Sequence, residues 1–177
     1  MLKAYKYRLY PNVEQKVFFT KTFGCARFIY NRMLADRIEY YKITGKSLKN
    51  NYAQYKSEFP FLKEIDSLAL ANAYLNLNYA YSKFFKNKST GFPKFKKKSS
   101  NDFSYKTNNQ DGTIAIIDGK LKLPKLKSLV KIKLHREFSG KIKSATISKN
   151  PSDQYFVSIL VETENVLPEV LDTTIAI

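Results

Sequence analysis

The chain has 177 residues, enough for one ordinary domain or two small ones with a sizeable core, and at 44% hydrophobic and 15% aromatic it is too apolar to be a disordered polypeptide. Its formal net charge is +16, from 31 Lys and Arg against 15 Asp and Glu; such self-repulsion is usually tolerated for a polyanionic partner, a generally basic soluble protein being the plain alternative. Cys25 and His135 are each the sole residue of their type, which excludes an internal disulfide, a thiolate zinc site and a His-rich metal cluster.

No stretch approaches the ~18 apolar residues of a membrane span, and "MLKAYKYRLY" is basic where a signal peptide is apolar, so the expectation is a soluble, cytoplasmic protein with no membrane partner. The charge is unevenly spread. Lys83 to Lys98 contains seven lysines and no acid, and from Lys120 to Lys149 only Glu137 opposes the cations. After Lys149 there is no Lys or Arg, while Asp153, Glu162, Glu164, Glu169 and Asp172 are acidic. A basic body is followed by an acidic end.

"LKAYKYRLYP" alternates, with Tyr5, Tyr7 and Leu9 on one side and Lys6 and Arg8 on the other, which predicts a strand with one basic face. Asn12 can cap the helix that follows, with Gln15 as its capping-box partner. Phe19, Phe23, Ala26, Tyr30, Met33 or Leu34, Arg37 or Ile38 and Tyr41 recur at helical spacing, and Gly45 supplies the stop. Gly24, Cys25 and Ala26 form a small-residue patch, read as a close packing contact in preference to a reactive thiol. A short helix over 51–59 ends at Pro60, and a second long helix starts at Asp66 or Ser67 with Leu70, Tyr74, Leu77, Tyr81 and Phe84 or Phe85 on its buried side. Asn72, Asn76 and Asn78 lie beside that stripe, as plain solvated polar residues or as ligand-binding groups, the plain reading being favoured.

Beyond Lys86 the helical period disappears in a loop rich in Gly, Pro, Ser and Lys. Short strands are predicted at Phe103–Thr107, Ile114–Ile117, Leu121–Leu123, Val130–Leu134, Ile142–Ser148 and Tyr155–Thr163, with turns at Asp118-Gly119 and at "NPSD", 150–153. Lys131, Lys133 and His135 face away from Val130, Ile132 and Leu134. The fold class expected is α+β: a split antiparallel β-barrel of oligonucleotide-binding type, completed by the first strand, with a helical bundle inserted.

"GFPKFKKK", 91–98, interleaves two Phe with Lys94, Lys96, Lys97 and Lys98: ammonium groups neutralise phosphates, and rings can stack on unpaired bases. The expected mixture has Phe92 and Phe95 buried and the lysines binding. Arg27, Asn31 and Arg32 lie together off the apolar stripe of the first helix, either contacting DNA or RNA or forming a solvated face. No catalytic site emerges. His135, with Arg136 beside it, identifies no nucleophile partner, the carboxylates are scattered, and no Gly-rich loop cradles nucleotide phosphates.

"KAYKYRLYPNVEQ" at 3–15, "GCARFIYN" at 24–31, "EFPFLKEIDSLALANA" at 58–73, "FFKNKSTGFPKFKKK" at 84–98, "LKLPKL" at 121–126, and "GKIKSATIS" with "YFVSILVE" within 140–162 occur in an order that closely resembles the amino-terminal half of TnpB, the OrfB-type protein of bacterial insertion sequences. The resemblance implies an RNA-guided DNA endonuclease related to type V CRISPR effectors. It divides the chain into a wedge barrel at 1–11 plus 99–166, a recognition domain at 12–90 with a helix-turn-helix-like start, a basic connecting loop at 91–98, and at 167–177 a linker and first-strand stub of a RuvC-like nuclease domain. Its implied partners are a guide RNA from the transposon end and double-stranded DNA carrying a transposon-adjacent motif. Lys3, Lys6, Arg8 and Lys94 to Lys98 match positions expected to face nucleic acid. Motif reading falls to the helix bearing Ser67 and Ala71 and to Tyr105, Lys106, Thr107 and Asn108.

In the family, a strand like "TIAI" at 174–177 precedes the first metal-binding Asp of the nuclease domain. The resemblance therefore implies a nucleic-acid-binding fragment that is no enzyme by itself, with no cofactor of its own; magnesium and zinc belong to the remaining part, which a separate chain could supply. The alternatives are a nuclease-free repressor and a non-functional remnant of a decayed insertion sequence.

Overall fold

Alternation makes residues 2–10 a strand, and burial decides its orientation: in β1 (Leu2–Tyr10) Tyr7 and Leu9 are fully buried while Lys6 lies exposed on the other side. The computed structural model describes residues 1–100 and 103–164. Helix α1 (Val13–Thr44) follows, its start closed by the anticipated capping box between Asn12 and Gln15 and its end by Gly45 in the left-handed conformation. Gln15 also donates from Nε2 to Ser128 Oγ at 2.9 Å and to the Leu129 carbonyl at 3.1 Å, fastening the helix start to a distant segment. The stripe from Phe19 through Leu34 is buried, but Tyr41 at 63% exposure shows that the last turns run past the core.

The short helix over 51–59 is a turn of 3-10 helix at Tyr52–Gln54 leading into α2 (Tyr55–Glu58). Asp66 caps α3 (Ser67–Lys86), which buries Leu70 and Leu77 as anticipated; Phe85, in contrast, is 71% exposed. Two of the three asparagines read as solvated have internal roles: Asn72 is buried and donates to the Leu68 carbonyl at 2.8 Å, and Asn78 accepts from Arg37 at 2.9 Å.

The remaining strands are β2 (Phe103–Asn108), β3 (Ala115–Ile117), β4 (Lys120–Lys122), β5 (Val130–Lys133), β6 (Lys141–Lys149) and β7 (Tyr155–Glu162). All pair antiparallel in one seven-stranded sheet, ordered β2-β6-β7-β1-β5-β4-β3, which curls into a half-barrel. The first strand thus lies near the middle, between β7 and β5, with the helices inserted between it and β2. Asp118 and Gly119, at φ 48° and 67°, make the hairpin turn between β3 and β4. Strand β5 stops at Lys133, so His135 leaves the basic face predicted for it and meets Tyr7 edge-on at 5.3 Å between ring centroids. The linker and nuclease-strand stub expected at 167–177 lie outside the described residues.

Helices and sheet share one core. Phe19 packs on Tyr105 and Tyr155, and Phe23 on Phe103 and Tyr105, all with centroids within 6.4 Å. Deeper in the helical part, buried Tyr55 donates to Asp36 at 2.6 Å and accepts from Asn50 at 2.9 Å, and Asn50 also accepts from Arg37 Nε at 2.7 Å. Burial, then the hydrogen bond to Asp36, pushes the Tyr55 phenol up to about 12 from 10.0. The folded state therefore holds this proton more tightly than the unfolded chain, so its contribution is complete below about pH 10 and is lost as pH rises through about 12. Tyr55→Phe should make the fall in thermal midpoint across that window shallower than in the unaltered chain; identical slopes would show that Tyr55 does not govern it.

Candidate nucleic-acid interface

The face of the sheet opposite the core is built by the even-numbered residues of β1. Cross-strand register sets Arg8 beside Lys133 on one side and Phe156 on the other, and Tyr10 beside Lys131, which in turn pairs with Lys120. The next row runs Lys6, Ser158, Thr146, Lys106, and beyond Phe156 lie Ser148 and Ser104. Cations, hydroxyls and two aromatic rings thus share a continuous surface. The Lys6 ammonium stands 4.9 Å from the Phe156 ring centroid, and the Arg8 guanidinium 5.0 Å from it and 5.6 Å from that of Tyr10. Arg8 Nε is buried without a hydrogen-bond partner, and none of these Lys or Arg takes part in an ion pair among the described residues. Lys3 belongs by alternation to the other face, at its exposed end.

The second basic element is the 91–98 loop. Its phenylalanines are not buried in the sheet: Phe92, 44% exposed, meets Tyr81 and Phe84 of α3 edge-on, and Phe95, 49% exposed, lines an open groove of about 520 Å³ with Arg27, Phe28, Asn31 and Arg32. Pro93 is the residue that is buried. The clustering of Arg27, Asn31 and Arg32 on one side of α1 is therefore real, but their side chains differ in availability. Arg32 lies 3.5 Å from Asp36 and 3.8 Å from Glu58, whereas Arg27 has no ion pair among the described residues. Asn31 is engaged with the backbone of Lys96, donating to its carbonyl at 2.9 Å and accepting its N–H at 2.8 Å.

On β2 the predicted readers divide by alternation. Lys106 is exposed and Asn108 half-buried, both on the basic face. Tyr105 and Thr107 are corrected to core residues: Tyr105 lies between Phe19 and Phe23, burial pushing its phenol pKa far up, and Thr107, fully buried, donates a short hydrogen bond to Asp66. Neither can reach a nucleic acid while this packing holds. Asp66, also the N-cap of α3, thereby ties that helix to β2. Missed from sequence were Phe156, Ser104, Ser148, Thr146 and Ser158, although the alternation in "FSYKTN", "KSATISK" and "YFVSILVE" carries the signal.

Residues 1–46 match a family model described as a helix-turn-helix domain, of the OrfB type. In the structure these residues are β1 and the unbroken α1, so no turn between two helices lies within the matched stretch. Two relatives, from Streptomyces pristinaespiralis and from Escherichia coli K12, carry the name "Putative RNA-guided DNA endonuclease", the second with the symbol InsQ. Each is 29% identical over 171 residues, covering 90% and 92% of this chain respectively. The virulence protein VsdF of Salmonella dublin is 34% identical over 113 residues, 55% of this chain and 95% of VsdF. The chain belongs to the TnpB/OrfB family. It spans 41% of the length of each endonuclease-named relative.

For this TnpB/OrfB chain, β2 offers a clean separation of structural from surface roles. Thr107→Val keeps the shape but leaves the buried Asp66 carboxylate short of a donor, and should lower unfolding free energy by about 1–3 kcal/mol in urea titration. Lys106→Ala, at an exposed position on the opposite face, should leave stability within about 0.5 kcal/mol. The reverse pattern would overturn the assignment of these neighbours.

Proposed function

We propose that this chain is the nucleic-acid-binding part of a TnpB-like RNA-guided endonuclease, holding a guide RNA and duplex DNA with a transposon-adjacent motif. The observation that carries the reading is the pairing of like charges directly across the sheet, Arg8 with Lys133 and Lys120 with Lys131, with no ion-paired acid on any of them among the described residues. Such pairs destabilise a sheet by roughly 0.2–1 kcal/mol each. A phosphate backbone laid over them turns the repulsion into attraction and releases counterions. The hydroxyls of Ser104, Ser148, Thr146 and Ser158 add donors and acceptors suited to phosphates and to ribose 2′-OH groups.

In this reading the half-barrel is the wedge domain, of oligonucleotide-binding type, and the segment from 12 to 90 is the recognition domain. Lys6, Arg8 and Lys106 contact RNA from the sheet, and Lys94, Lys97, Lys98 and Arg27 from the loop and groove. Asn108 and the first turn of α3 lie on the two sides of the Asp66–Thr107 junction, where a duplex motif is read. Base pairing with the guide supplies target sequence, and the protein reads shape and backbone. We assign the cutting in the relatives' name, with magnesium and zinc, to the larger part of their length that this chain does not match.

Lys133→Glu separates this reading from a merely basic surface. It replaces repulsion with attraction beside Arg8, so the thermal midpoint should rise. Affinity for transposon-end RNA should fall about tenfold, and the slope of log K against log salt should flatten by about one to two. Stability and affinity moving in the same direction would contradict the reading, as would equal affinity of the unaltered chain for transposon-end RNA and a scrambled RNA of the same length.

A further inference from the structure

A Gly- and Pro-containing lysine-rich loop would ordinarily be mobile, but here successive side chains pin it. Phe92 sits against Tyr81 and Phe84, with centroids 5.5 and 5.4 Å away, Pro93 is buried, and Phe95 lines the groove beside α1. Asn31 then takes both backbone groups of Lys96, through two hydrogen bonds of 2.8 and 2.9 Å. The side-chain amide thus acts as a peptide group of a missing neighbouring strand. The Lys96 ammonium folds back to 4.8 Å from the ring centroid of Tyr30, leaving Lys94, Lys97 and Lys98 exposed and without ion pairs among the described residues.

We propose that Asn31 is a positioning residue: it holds 91–98 as a preformed cationic edge that presents Lys94, Lys97 and Lys98 to a phosphodiester backbone, and it does not itself contact nucleic acid. The inference rests on the nucleic-acid reading above. Its physical basis is preorganisation: a loop already ordered does not lose its conformational freedom on binding. Asparagine suits the task because one planar group supplies both a donor and an acceptor, and no charge. Aspartate keeps the acceptor for the Lys96 N–H, loses the donor to its carbonyl, and sets a negative charge among the lysines. Lys96 is by the same geometry part of the frame and not of the contact surface.

The test compares the unaltered full chain with Asn31→Ala, Asn31→Asp and Lys94→Ala/Lys97→Ala, using two readouts. The first is the rate of trypsin cleavage within 94–98 without nucleic acid, the second the affinity for a labelled transposon-end RNA between about 50 and about 200 mM salt. Asn31→Ala should be cleaved at least about tenfold faster and bind about five- to tenfold more weakly, with the salt slope unchanged because the same lysines still engage. Asn31→Asp should be cleaved at an intermediate rate, which keeps the test decisive if the alanine variant folds poorly. The lysine pair should flatten the slope by about one to two. Unchanged cleavage in both Asn31 variants, or unchanged affinity in Asn31→Ala, would overturn the positioning role alone. Failure of the unaltered chain to bind RNA would overturn the functional reading and this role with it.

Discussion

Strand β1 sits between β7 and β5, and its register there decides both the core and the interface. Tyr7 and Leu9 meet Val157 and Tyr155 on the core side, so Lys6 and Arg8 must stand in the middle of the opposite face. A slip of one residue would bury both cations and expose both apolar side chains. The pairing joins residues far apart in sequence, since Leu2 lies opposite Glu162. Nothing local rewards that closure until the core forms, which makes the buried face of β1 the term that brings the two ends of the described chain together.

The helices depend on the same sheet. Phe19 and Phe23 reach it through Tyr105 and Tyr155, and truncating a fully buried Phe such as Phe19 costs about 3–5 kcal/mol. The second attachment, Asp66 with Thr107, is polar and directional. It fixes where the first turn of α3 stands relative to β2, which aromatic packing alone would not do.

Much of this was legible in the sequence because it is written in local periods. Alternation gave the strands to within a residue or two, the Asn12–Gln15 box and Gly45 bounded α1, and Asp118-Gly119 marked its hairpin. The candidate site was legible only where alternation reaches: Lys6 and Arg8 were separable from Tyr7 and Leu9. What failed depends on partners that periodicity cannot see. Thr107 and Asp66 are 41 positions apart, and Asn31 and Lys96 are 65 apart. The family resemblance assigns motif reading to 105–108 as a whole stretch without distinguishing its two faces, and so takes in Tyr105 and Thr107, which the helices cover. Phe92 and Phe95 read as buried residues because the loop's return to α3 and α1 leaves no local trace.

The chemistry of the fastenings also explains how a chain of net charge +16 keeps its cations free. Long-range ties next to basic segments are largely neutral amides: Asn31 on Lys96, Gln15 on Ser128 and Leu129, and Asn109 on the Ile142 carbonyl. A carboxylate could accept these N–H groups but could not donate to the carbonyls, and it would neutralise the lysines around it. Exposed lysines away from the middle of β1 pair with carboxylates, as Lys16 and Lys149 do with Asp153, whose pKa their hydrogen bonds hold below the ordinary value. Those exposed pairs add little stability. Separating the two kinds of fastening lets the fold close on itself without spending the positive charge that its basic face and loop retain.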